Sequence, residues 1–118
     1  MDFHLETKYQ ELVKELEKEL GDGLDLQAII FMVGVQELGK GYQKFKKDDK
    51  VNLMHIAICT LLSQYGYYTF EGRDEDGWPH FKLEKELPKL GDRQQEHLIK
   101  EALLEYFSDL FPNASGTV

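Results

Sequence analysis

The fold turns on residues 64–83, QYGYYTFEGRDEDGWPHFKL. This stretch crowds tyrosine and phenylalanine rings, the chain's one tryptophan, a histidine and a run of charges between two helical patterns. It predicts a β-hairpin, with strands over 67–71 and 78–83 and an acidic turn over 72–77. Asp76-Gly77 is turn chemistry, because aspartate bonds nearby backbone and glycine enters the left-handed region freely. By the period-two rule Tyr68 and Phe70 share a face, as do Phe81 and Leu83. Pro79 has no amide hydrogen, so the second strand is an edge there. A lone hairpin is marginal in water and must dock on helices. If Tyr68 and Phe70 turn inward, alternation turns Tyr67 and Trp78 outward. An outward Trp78 beside His80 would anchor a partner. Arg73 is expected to screen the acids around it.

Helical patterns flank this ribbon on both sides. Over 2–20, Leu5, Tyr9, Leu12, Val13, Leu16 and Leu20 make one apolar stripe. Glu11, Lys14, Glu15 and Lys18 pair at i,i+3 on the wet side, and Gly21 stops the helix. A second helix over 25–38, capped by Asp22 or Asp25, is apolar all round at its centre. Such a helix is surrounded by others or lies in an oligomer interface. A third runs over 49–65, capped by Asp48 or Asp49 and stopped by Gly66. Its broad apolar face carries Val51, Met54, Ile58, Leu61, Leu62 and Tyr65, opposite a stripe of Asn52, His55, Cys59 and Ser63. A fourth covers 92–110, opened by a capping box of Asp92 with Gln95. Its face is Leu98, Ile99, Ala102, Leu103, Tyr106, Phe107 and Leu110. The expected architecture is mainly α: a four-helix single domain over 1–111, with one hairpin between the third and fourth helices. Residues 112–118 form a flexible tail.

The chain's 118 residues suit one domain and a real core. One cysteine, Cys59, leaves no internal disulfide. The charged start MDFHLETKYQ does not read as a secretory signal, and the apolar run over 28–35 is too short to span a bilayer. The expectation is a cytoplasmic protein, for which the Asn113-Ala114-Ser115 glycosylation match is incidental. A formal net charge of −8 repels nucleic acid and anionic lipid. Lys40, Lys44, Lys46, Lys47 and Lys50 nevertheless crowd one connection, interleaved with Tyr42 and Phe45. That mixture can track single strands, but Asp48 and Asp49 sit inside it, and the lysines read as a solvated loop. The helix order echoes a winged helix, yet the third helix has no arginine or lysine past Lys50 to offer a groove.

Residues 34–40, GVQELGK, match the start of a phosphate-binding loop. Gly41 then stands where the magnesium-binding hydroxyl belongs, so the reading is a helix with a glycine stop. Asp74, Glu75, Asp76 and Gly77 resemble part of a calcium loop, but Gly72 and Leu83 fall where ligand oxygens are needed. His55 and Cys59 lie at i,i+4 and could offer two ligands to zinc, with His80, Asp74 or Asp76 as a third. The plainer alternative is a buried cysteine and a histidine bonded to a neighbour. Cys59 is mid-helix, away from the terminus that would lower its pKa, and Ser63 and Ser108 lack an elbow. No catalytic residue is assigned. The expected contact residues for a protein partner or a second copy are Tyr67, Asp76, Trp78 and His80. No cofactor is assigned; the metal alternative is zinc on His55, Cys59 and His80. The leading reading is a non-enzymatic binding or regulatory module. The alternative is a small metal-dependent enzyme or ligand binder, with its site between the third helix and the hairpin.

Overall fold

Helix α1 spans Phe3–Leu20, α2 Leu26–Leu38 and α3 Lys47–Ser63. Strands β1 (Tyr68–Arg73) and β2 (Pro79–Leu83) follow, and α4 runs Asp92–Tyr106. The computed structural model describes residues 3–41 and 43–108. Among these the architecture is mainly α, four helices with a two-stranded antiparallel hairpin between α3 and α4. Asp2, Tyr42, the last turn expected of the fourth helix and the expected tail lie outside the described residues.

The chain divides into two compact units. One holds α1 and α4; the other, residues 25–88, holds α2, α3 and the hairpin. In the first unit α1 buries Leu5, Tyr9, Leu12 and Leu16, every third or fourth residue of its expected stripe. Leu20, at the end of that stripe, is instead exposed. Its turn is closed by the Glu17 carboxylate, which accepts from Gly23 N at 2.7 Å and Leu24 N at 3.2 Å. Helix α4 buries Ala102, Leu103 and Leu104, and its C-cap Phe107 is buried too. Its opening differs from the expected box by one residue. Gly91 is the N-cap, Gln94 Oε1 accepts from Gly91 N at 3.3 Å, and Gln95 Nε2 donates to Leu90 O at 2.9 Å. Lys100 ties the two helices together, donating to Glu6 at 2.8 Å while lying 4.7 Å from the Tyr9 ring centroid. That bond, then one from Gln10, holds the Glu6 carboxyl below its ordinary range.

In the second unit Asp25 caps α2, its Oδ1 accepting from Ala28 N at 2.8 Å. Gly39, with φ of 76°, closes the helix in the left-handed conformation that an L side chain resists. Gly34 is therefore mid-helix, and the residues resembling a phosphate loop form no loop there. Helix α3 starts earlier than expected, with Lys46 as an N-cap making no side-chain cap bond. Asp48 and Asp49 instead occupy its first turn, where negative charge favours the positive end of the dipole. Its inward face also differs. Leu53, Ile56, Ala57, Cys59, Leu61 and Leu62 are buried, while Val51 is 64% exposed. The helix carries apolar residues on several sides, so spacing alone selects no single face.

The hairpin pairs Tyr68 with Leu83 and Phe70 with Phe81, then slips by one residue so that Gly72 opposes His80. That slip is a β-bulge, which bends the strand toward the turn. Both strands pack against α3.

Candidate functional site

The hairpin tip is built around Asp74. Its Oδ1 accepts from Asp76 N and Trp78 N, both at 3.0 Å, and its Oδ2 accepts from His80 Nε2 at 2.9 Å. Backbone bonds from Asp74 N to Trp78 O and from Gly77 N to Asp74 O close the same turn. The His80 bond, then those from the two amides, holds the Asp74 carboxyl below its ordinary 3.8. An aspartate bonding backbone a few residues on is ordinary turn chemistry. Here it also takes up His80, which leaves that ring 60% exposed but bonded.

Arg73, expected to screen the acids around it, forms no ion pair with them among the described residues. Its guanidinium reaches the end of α2, with Nη2 donating to Glu37 O at 2.6 Å and Nη1 to Leu38 O at 3.2 Å and Gly77 O at 2.8 Å. The last turn of α2 holds no basic residue, and Arg73 brings a cation to its free carbonyls from across the fold. Lys40 Nζ donates to the Asp76 carbonyl and strengthens the same clamp. Sequence patterning could not reveal this role, because nothing local links Arg73 to Glu37.

Of the expected contact residues, Asp76, Trp78 and His80 gather around Asp74 through its hydrogen bonds, and Tyr67 lies outside them. Trp78 is not an exposed anchor: it packs half-buried against the cluster of Val35, Leu38, Phe45 and Leu53. It precedes β2, so strand alternation does not set its direction. Tyr67 lies just before β1 and carries Lys85 over its ring at 4.5 Å. Asp76 and His80 are exposed at the tip. The apolar surface that the hairpin does present comes from other residues. Phe70 and Leu83, on its ring-bearing face, are each 52% exposed. Phe70 meets Phe81 edge-on with centroids 5.8 Å apart.

His55 Nε2 and Cys59 Sγ lie 3.5 Å apart on α3, as their spacing implies. His80 is engaged with Asp74 and does not complete them. Among the described residues, no three histidine, cysteine or carboxylate side chains group so as to hold a metal. Cys59 is 1% exposed, and burial pushes its thiol up to about 11. Burial, and then the Cys59 sulfur, also raises the Tyr68 hydroxyl.

The α1–α4 unit carries an open groove of about 800 Å³ over Leu5, Leu90 and Leu98, rimmed by Arg93, His97 and Glu101. His97 is bonded to Glu101 at 3.1 Å there. No helix among the described residues is long and apolar enough to cross a membrane. Comparison of the chain with protein-family models, with curated proteins and with solved structures returns no match.

Proposed function

We propose that this chain is a cytoplasmic, non-enzymatic protein-interaction module that works through its hairpin, with self-association as the first mode. The exposed pair Phe70 and Leu83 carries the reading. Apolar side chains held on a rigid ribbon, beside strand edges with unpaired backbone groups, suit contact with another chain. The clamp from Arg73 and Asp74 keeps that ribbon shaped before any partner arrives, and preorganisation lowers the entropy cost of binding. Cys59, sealed and with a raised pKa, supports a structural role better than a nucleophilic one.

Light scattering over a concentration series tests the proposal. The expected result is a reversible rise in mass that Phe70→Ser with Leu83→Ser removes while the helical signal is kept. A strict monomer at every concentration would overturn self-association. The alternative, a metal-dependent site using His55, Cys59, Asp76 and His80, draws on the His55–Cys59 contact. Native mass spectrometry of protein purified without chelator separates the two readings, because only the alternative expects bound metal.

A further inference from the structure

The lysines of the α2–α3 connection are not one solvated loop. Lys40 is committed to the Asp76 carbonyl. The other four, Lys44, Lys46, Lys47 and Lys50, are exposed, and none forms an ion pair among the described residues. The early start of α3 makes Lys46 its N-cap and places Lys47 and Lys50 on its opening turns. Residues three apart on a helix are surface neighbours. Phe45 lies among them, buried against Val35, Leu38 and Leu53 and edge-on to Phe31 at 6.0 Å. That anchor gives the lysines a fixed footing.

The placement works against the helix. Positive charge at a helix N-terminus opposes the dipole, and lysine at the N-cap forgoes the bond that serine or aspartate would supply. Lys46 has φ of −71° and ψ of 162°, backbone well suited to such a cap. In a chain with 22 acidic residues, these four lysines have no ion-pair partner among the described residues, and Lys46 and Lys47 stand where positive charge costs the helix stability. We propose that Lys44, Lys46, Lys47 and Lys50 form a docking surface for a short acidic segment of a protein partner. Two observations favour that partner over a nucleic acid. Phe45 is turned into the core and offers no ring for base stacking. Asp48 and Asp49, in the first turn of α3, interrupt the lysines and limit the basic stretch to a length that suits a short segment. This surface shares no residue with the exposed pair Phe70 and Leu83, so the two readings fail separately.

The test is fluorescence anisotropy of a labelled oligoglutamate peptide titrated with the full chain at low salt. Oligothymidylate runs in parallel. The expected result is saturable peptide binding that added salt weakens. Replacing all four lysines by glutamine is expected to weaken it about tenfold, from four surface charges worth a few tenths of a kcal/mol each. Lys82→Gln with Lys85→Gln is expected to leave it unchanged. Lys46→Asp is expected to weaken peptide binding by less than the four glutamines do while raising Tm, because it adds the missing cap. Absence of saturable peptide binding, indifference to the four substitutions, or tighter binding of oligothymidylate than of the peptide would overturn the proposal.

Discussion

Arg73 of β1 and Leu38 of α2 are joined across 35 positions of sequence by a guanidinium bond of 3.2 Å to a helix-terminal carbonyl. The same side chain binds Glu37 O and Gly77 O, so one residue holds the hairpin tip against α2. Arg73→Ala is expected to lower stability by about 1–2 kcal/mol, the range of charge-assisted bonds at a partly exposed site. Arg73→Lys should recover less than half of that loss, because an ammonium cannot reproduce the planar fork. Urea unfolding followed by Trp78 fluorescence measures both. Equal stability of wild type and Arg73→Ala would remove the clamp from the account.

Gly34 lets α2 come close against the backbone of α3 at Leu53. A Cβ added there would lie 2.8 Å from the Leu53 carbonyl carbon, and closer still to its oxygen. Backbone cannot rotate away as a side chain can, so the helices must separate. Gly34→Ala is expected to cost about 1–3 kcal/mol through overpacking, although alanine favours a helix by about 1 kcal/mol over glycine. Thermal unfolding gives the sign directly, and a rise in Tm would contradict the contact.

Cys59 should resist modification in the folded protein. With a thiol pKa of about 11, its thiolate fraction at neutral pH is on the order of one in ten thousand. A disulfide reagent should therefore react slowly until denaturant is added. The raised pKa also gives a pH slope. Between the ordinary 9.0 and about 11 the unfolded chain loses this proton first, so stability falls as pH rises through that window. Cys59→Ala should flatten that part of the alkaline decline.

Asp74 predicts the opposite dependence. Its carboxyl is held below the ordinary 3.8, chiefly by His80. Its contribution is therefore complete above that value and is lost as pH falls through the lower folded pKa. Hydrogen exchange at Asp76 N and Trp78 N reports it, since both amides donate to Asp74. Asp74→Ala should speed exchange at these two amides, corrected for the intrinsic rate, and leave those of α1 unchanged.

The sequence by itself determined the four helices and the hairpin between the last two. Apolar spacing, the Asp25 cap, the left-handed Gly39 and the tip residues Asp74 to Gly77 all act within a few positions of one another. Local interactions of that reach are written in order along the chain. Tertiary structure alone decided which side of α3 faces inward, that Trp78 turns toward Phe45, and that Arg73 caps α2 instead of pairing with an acid. It also decided that His80 meets Asp74 and not the His55–Cys59 pair. The contacts of Arg73 and Trp78 join groups distant in sequence, and the packing depends on where the end of α2 leaves bare carbonyls and where Gly34 lets two backbones touch. Periodicity records neither.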